Sequence, residues 1–455
     1  MMSLSSLSVR WLWLIAGMAL LPLVAAESLT IDQALLRAQQ VNENAAIARE
    51  RMIQADGARR EAYAELLPII TLSGSYTPWS DHYGEYVNGG AAVSVRLLDP
   101  SSIPRLRQAT RLVEAERLDA GEIRRNLAFN TANNFYLVLA ASSLEQAATK
   151  RLEVADEALR QARIRAQAGL VDRSTVTRSE LESATARTEL IRSRNASLKS
   201  RYALFYLLGA QPDQLQADRA WPVLSPPPAA SVTAPLFGDL LTEALRLRGD
   251  LLAAQARAEA ARFAAEEPVT DTLPKFYLRG AADYTDDRAR AFGADTTDWR
   301  ASVVATWELY DGGARYGRRE RLSSVAREYL LIVEGSRRRL GLELSNALSD
   351  LATAVAAVEQ AQVRRTVAQQ NADEIGIRFQ QGLSTALEQA DSNVAAYEAE
   401  IELAHSRFNH QQANLSLEQA VGRWPAACNP VRARQGTVVK CGFPLKLSDR
   451  FHEPS

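Results

Sequence analysis

Cysteine is almost missing from this sequence, and both residues, Cys428 and Cys441, fall in a Pro- and basic-rich tail. No disulfide framework can therefore organise the body of the fold, and the spacing of the two is not a zinc pattern. In an oxidising exported compartment they could close a small disulfide loop or stay as two thiols. Histidine is scarce too, at positions 82, 405, 410 and 452. The close pair is five apart, which misses the i, i+4 face that a helical metal site needs. No phosphate loop, nucleophile elbow or dinucleotide fingerprint occurs, and "NGG" at Asn88 and "DGG" at Asp311 read as turn chemistry. The chain is thus read as a non-enzyme with no implied cofactor or metal.

Lysine occurs at only five positions, 150, 199, 275, 440 and 446, so nearly all of the 53 basic side chains are arginine. They face 54 acidic ones for a net charge of −1. Near neutrality without a dense basic run argues against nucleic acid as a partner. Long apolar runs are lacking as well, save one from Trp11 to Leu23 near the start. That run is short of the ~20 residues a spanning helix needs. Preceded by Arg10 and followed by Val24-Ala25-Ala26, it has the form of a secretory signal, with the cut expected after Ala26. No cysteine follows the cut, which argues against a lipid anchor.

What the sequence does contain is a copied phrase. "IRAQAGL" begins at Ile164 and "IRFQQGL" at Ile377, and over residues 164–209 against 377–422 the two stretches align without a gap, with 13 of 46 pairs identical. Upstream, Leu67-Pro68 answers Leu273-Pro274 and Leu72-x-Gly74 answers Leu278-x-Gly280, both 206 apart, while Leu97-Leu98-Asp99 answers Leu309-Tyr310-Asp311 at 212. Drifting offsets mean short insertions between matching elements. The chain reads as a tandem duplication.

Each unit runs helix, two strands, a very long helix, a Gly-Leu turn and a returning helix. The strands alternate with period two: Ile70, Leu72 and Tyr76 oppose Thr71, Ser73 and Ser75, and Val93, Val95 and Leu97 oppose Ser94 and Arg96. In the second unit Phe276, Leu278, Ala282 and Tyr284 oppose Lys275, Arg279 and Asp283. Last, Trp299, Ala301, Val303 and Leu309 oppose Arg300, Ser302, Thr306 and Glu308. A soluble sheet on a core would give the same alternation. Two features favour membrane strands: lengths of ~9 to 11 residues, and Tyr76, Tyr284, Trp299 and Trp307 near strand ends, where an interfacial girdle belongs. Four strands cannot close a barrel in lipid, where every open edge group costs several kcal/mol, so several chains must share one.

After Pro104 no proline occurs before Ala168, and none from Ala314 to Gln381. Two helices are expected, about Ser102 to Ala168 and about Ala314 to Gln381, each roughly 100 Å long at 1.5 Å per residue. Leu344, Leu348, Leu351, Val355 and Val358 step as a coiled-coil seam. At the repeated phrase Arg165 and Arg378 sit in a last turn, where a cation meets the negative end of the helix dipole, and Gly169 and Gly382 supply the left-handed stop. Shorter helices are expected from about Ile31 to Leu66, Asp172 to Gly209 and Phe237 to Glu266.

"RFQQGLSTALEQADSNV", "ELYDGGARYGRRERL" after the fourth strand, and Leu-Pro before each strand pair, taken in this order and spacing, resemble the TolC-like outer membrane efflux proteins. The likeness runs from "LTIDQAL" at Leu29 to "AVGRW" ending at Trp424. It implies a mainly α protomer with a membrane β-barrel: long antiparallel coiled-coil helices plus four strands, trimerising into a twelve-stranded barrel in the outer membrane and a helical tunnel across the periplasm. It implies the domains as well: signal 1–26, first repeat 27–209, Pro-rich linker 210–235 in a mid-tunnel belt, second repeat 236–424 and tail 425–455. The implied role is the exit duct of a tripartite efflux or type I secretion system, partnered by outer membrane lipid, a periplasmic adaptor and an inner-membrane transporter.

Under that resemblance Gly169-Leu170 and Gly382-Leu383, with Arg165 and Arg378, are candidate adaptor-docking tips, beside their plain role as helix stops. The family's acidic gate after the second tip maps to Glu388 and Asp391, three apart on one helix face. Thr385-x-x-Glu388 is also a capping box. The first-unit counterparts, Thr175 and Arg178, depart from the acidic pattern, and the opposite signs suggest an Arg178–Asp391 pair in a closed tube. A periplasmic coiled-coil scaffold that conducts nothing is the rival reading, although a rod has no need of four alternating strands.

Overall fold

A computed structural model describes residues 29–77, 86–215, 222–225, 236–287 and 296–425. The signal segment, the two strand-connecting loops and both cysteines lie outside the described residues. The elements run α1 (Ile31–Val41), α2 (Glu43–Ala64), β1 (Ile69–Thr77), β2 (Tyr86–Leu98), α3 (Ser102–Gln167) and α4 (Arg173–Leu207), then α5 (Phe237–Leu247), α6 (Gly249–Thr270), β3 (Lys275–Asp287), β4 (Thr296–Thr306), α7 (Ala314–Gln380) and α8 (Ala386–Val421). The duplication is visible in the lengths. α1 and α5 both have 11 residues, α2 and α6 both have 22, and α3 and α7 have 66 and 67.

The expected helices from Ile31 and from Phe237 are each broken once. The chain turns extended at Asn42 (φ −71°, ψ 137°) and at Arg248 (φ −68°, ψ 106°), and a second helix restarts at once. At Asn42 the side-chain oxygen accepts the Asn44 amide at 3.0 Å, which caps the new start. Prolines are tolerated where they fall. Pro104 is in the first turn of α3, where the missing N–H leaves no bond unmade, and Pro268 comes at the end of α6.

β1 to β4 form one antiparallel sheet in sequence order. β4 ends at Thr306, so Leu309, expected on that strand, lies beyond it in the turn to α7. Beneath the sheet, α2, α3, α6 and α7 stand side by side in the order of the strands they join. Further down the order becomes α4, α3, α8, α7, because each long helix carries its return leg.

The two halves meet at a belt. There α1 packs on α3 and α4 through Ala34, Ala38, Phe135, Val138, Leu204 and Leu208, and α5 packs on α7 and α8 through Leu240, Leu344, Leu417 and Val421. The Pro-rich linker touches this belt: Leu29 and Leu224 form a parallel bridge, with Leu29 N–H donating to Val223 O at 2.9 Å. Among the described residues no helix is long and apolar enough to cross a membrane.

Candidate functional site

The sheet registers decide its chemistry. Ile70, Val93, Gly280 and Ala301 align across the four strands, as do Leu72, Ala91, Ala282 and Trp299. These rows form one apolar face, and it is bare: Leu72 and Trp299 are each 81% exposed. On the other face Ile69, Ser94, Arg279 and Ser302 align, with Ile69 the one large apolar member at the start of β1, and so do Ser73, Gly90, Asp283 and Asp298. A Cβ on Gly90 would stand 2.8 Å from the Asp283 carboxylate, which instead pairs with Arg300 at 2.8 Å. An exposed apolar face and a paired polar face are the two sides of a membrane barrel wall. Tyr76 and Tyr284 lie toward the end of the sheet far from the helices, and Trp307 at the near end, its indole N–H donating to Thr272 O at 3.0 Å. Among the described residues β1 pairs only with β2 and β4 only with β3, so both outer edges of this sheet are open.

Charge-assisted bonds fasten sheet to helices. Glu65, at the end of α2, accepts from Arg96 of β2 at 3.0 Å and Arg105 of α3 at 3.2 Å, and Arg105 reaches Glu267 of α6 at 2.7 Å. The "DGG" turn before α7 is held by Asp311, which accepts from the amides of Gly313 and Arg315 at 3.1 and 2.8 Å.

At the far end the two tips are alike. Gly169 (φ 73°) and Gly382 (φ 76°) are left-handed, Leu170 N–H donates to Arg165 O at 2.9 Å, and Leu383 N–H donates to Arg378 O at 2.8 Å. This six-to-one closure satisfies the orphan carbonyls of each long helix and leaves Leu170 and Leu383 each 74% exposed. The arginines differ. Arg378 pairs with Glu374 at 2.5 Å on its own helix, whereas Arg165 crosses to the second tip, donating to Phe379 O at 3.4 Å with its guanidinium 4.7 Å over the Phe379 ring. Arg165 thus keeps its expected place in the last turn of α3 and in addition reaches the end of α7.

Glu388 closes the expected capping box: its carboxylate accepts the Thr385 amide at 2.8 Å, and its own amide donates to the Thr385 hydroxyl at 3.2 Å. Those bonds hold its carboxyl below the usual range. Asp391 and Arg178 are both exposed, and among the described residues neither side chain has a hydrogen bond or an ion pair, so the structure does not bring the two together as a pair. Arg178 borders a cleft of about 820 Å³ between the hairpins α3–α4 and α7–α8.

Sequence reasoning missed the clamp on the end of α8. Arg125, only 3% exposed, donates to Gln419 O at 2.8 Å, and Arg248 donates to Ala420 O at 3.2 Å, so two cations meet one helix C-terminus. Glu122 holds the first guanidinium at 2.5 Å, and Asp250 and Glu343 hold the second at 2.7 and 2.9 Å. The available signal was Arg248 standing where Asn42 stands 206 residues earlier.

The sequence model of the family described as "Outer membrane efflux protein" matches residues 29–210 and 240–423. Among solved structures, the CmeC outer membrane channel of Campylobacter jejuni is similar with a TM-score of 0.76 at 15% identity, covering 89% of this chain and 88% of that chain. The outer membrane protein VceC of Vibrio cholerae gives 0.72 at 18% identity, over 87% and 96%. The open state of the MtrE outer membrane channel of Neisseria gonorrhoeae gives 0.72 at 16%, over 86% and 89%. No curated protein matches the sequence significantly.

Proposed function

The chain belongs to the outer membrane efflux protein family, and we propose that three copies of it assemble into the exit duct of a tripartite efflux or type I secretion system. It is an outer membrane protein with a periplasmic helical tunnel, and its role is efflux. The observation that carries the trimer is the pair of open edges on a sheet whose one face is bare and apolar. A four-stranded sheet left open in lipid forfeits several kcal/mol per unpaired group, and joining β4 of one copy to β1 of the next removes every edge. Three copies give twelve strands.

In this reading residues 27–209 and 236–424 are the two repeats, 210–235 is the belt linker, and 425–455 is an appended tail. The matched element lengths of the two halves support that division. Leu170 and Leu383 are the docking tips for a periplasmic adaptor, which would join the duct to an inner-membrane transporter. Their support is exposure on rigidly closed turns. Asp391 is the gate carboxylate, brought near its two symmetry mates at the narrow end, with Glu388 capping the same helix. Arg178, free of an acid in this conformation, is the candidate counter-charge.

Two measurements test the reading. Unheated gels should show a band near three times the mass of the boiled, signal-cleaved chain, which collapses to that single band on boiling. Planar bilayers should show discrete channels whose conductance and cation preference change in Asp391→Ala. A monomer soluble without detergent would overturn the duct; an unaltered Asp391→Ala channel would overturn only the gate.

A further inference from the structure

Most cations on the polar face of the sheet have an acid at hand. Arg300 pairs with Asp283 at 2.8 Å, Arg96 with Glu65 at 3.0 Å, and Lys275 with Asp271 at 2.6 Å. Arg279 is the exception. It is exposed, and among the described residues its guanidinium meets no carboxylate; its one contact is the ring of Tyr277, two residues back on the same strand, at 5.8 Å.

Its neighbours suit an oxyanion. Ser94 of β2 and Ser302 of β4 flank Arg279 in one row, and directly opposed side chains of a sheet have Cβ atoms ~5 Å apart, so two hydroxyls stand beside one guanidinium. In the next row toward the loops, β2 and β3 contribute only Ala92 and Ala281, which leave the guanidinium uncovered. A planar fork of N–H groups matches the two oxygens of a carboxylate or phosphate.

Closing the barrel multiplies this charge and does not cancel it. When β4 of one copy joins β1 of the next, no carboxylate arrives with the new strands, because neither β1 nor β2 contains Asp or Glu. The three-fold axis then sets three copies of Arg279 at one height, on the wall of a barrel wider than the ~8-stranded kind that side chains fill. Asp298, an acid of the same face that has no partner among the described residues, is four residues along β4 from Ser302. At ~3.4 Å per residue that is roughly 14 Å, beyond the ~8 Å over which physiological salt leaves charges coupled.

We infer that the three copies of Arg279 in a duct form an oxyanion-binding ring inside the barrel, with Ser94 and Ser302 as hydroxyl donors, and that this ring favours exported compounds bearing carboxylate or phosphate groups. The inference rests on the exit-duct reading and adds a substrate class to it. Rings of arginine or lysine serve anion and phosphate pores, as carboxylate rings serve cations. In that reading the duct carries opposite charges at its two ends, Asp391 at the tip and Arg279 in the barrel.

The test uses full-length channels in planar bilayers, with citrate as the probe. Citrate in either chamber should lower the conductance in a dose-dependent way, and less so in high salt. Arg279→Gln should raise the half-blocking concentration about tenfold or more, the effect of losing a charge-assisted hydrogen bond at each site, and should shift the reversal potential toward cations. Arg279→Lys should keep most of the block. Ser302→Asp, which sets a carboxylate beside an intact guanidinium, should weaken the block as Arg279→Gln does and serves if that variant fails to assemble. Asp391→Ala should leave the block in place, since the tip lies at the other end of the helices. In cells, Arg279→Gln should raise susceptibility to toxic compounds with carboxylate or phosphate groups more than to cationic ones. Absence of block in the natural protein, a block that survives Arg279→Gln or Ser302→Asp in assembled channels, or one that disappears with Asp391→Ala would overturn the ring and leave the duct standing. Equal susceptibility changes for the two compound classes would overturn the cargo preference. Failure of the natural protein to form any channel would overturn the duct itself.

Discussion

The guanidinium of Arg165 lies 4.7 Å over the ring of Phe379, tying the end of the first hairpin to the end of the second. Position 379 minus 213 is Ala166, so the first tip offers no ring in return and the tie is single. A cation–π contact at a partly exposed site contributes about 0.5–1 kcal/mol. Phe379→Ala should therefore raise separation of the tips about 2- to 5-fold. Spin labels on Leu170→Cys and Leu383→Cys, with the two native cysteines replaced by serine, would show it as a broader, longer distance distribution. An unchanged distribution would mean the stack does not hold the tips.

Four glycines with positive φ end the hairpin helices, yet they should not tolerate alanine equally. At Gly169 and Gly382 a Cβ meets nothing within 4 Å, so Gly→Ala costs only the left-handed backbone penalty of about 1–2 kcal/mol. At Gly209 the new Cβ would come 2.3 Å from Val41 Cγ1, a side chain with room to turn, and at Gly422 it would stand 3.0 Å from the backbone of Leu247 and Arg248. Backbone cannot move without disturbing the Arg248 clamp. The expected order of damage in thermal melting is Gly422 worst, Gly209 next, and the two tips least.

These belt glycines also show what a sequence can and cannot disclose. Element order, strand faces and turn glycines were legible because they follow from local periodicity and from the copied phrase. The helical seam was half legible: Leu344 and Leu351 are buried as expected, but Val355 is 49% exposed, and Ala347 and Ala354 are buried in the steps between. Close helix approach favours the smaller side chain, which a hydrophobicity count ranks below valine. The breaks at Asn42 and Arg248 and the hold of Arg125 on Gln419 O were not legible. They join residues up to 294 apart, and nothing local marks an arginine as a cap for another helix.

The capping box at the second tip carries a pH signature. Thr385 holds the Glu388 carboxyl below its ordinary value of 4.5, so the folded-state pKa is depressed. A depressed acid contributes stability above the unfolded pKa and loses it as pH falls through the folded value. The first turn of α8 should thus stay protected from hydrogen exchange at pH 5 and above, and fray below 4.5. Glu388→Gln should flatten this dependence, while Thr385→Ala should abolish the protection at every pH. Fraying that begins near neutrality would point to a different group.

Adjacent residues on β1 should behave as opposites. Leu72 belongs to the row with Ala91, Ala282 and Trp299, and Ser73 to the row with Gly90, Asp283 and Asp298. Both fall near the middle of a nine-residue strand, so depth in the bilayer is nearly the same for the two. An arginine on the lipid side at that depth costs about 2–4 kcal/mol in every copy, a cost that a trimer meets three times. Leu72→Arg should therefore abolish heat-resistant assembly or sharply lower its midpoint. Ser73→Arg points into the wet side, within reach of the row that carries Asp283, and should assemble normally while shifting ion preference toward anions. Reversal potentials under a salt gradient report the second effect, and unheated gel migration the first. Equal tolerance at both positions would mean that the sheet does not separate lipid from water, and with it the shared barrel would fall.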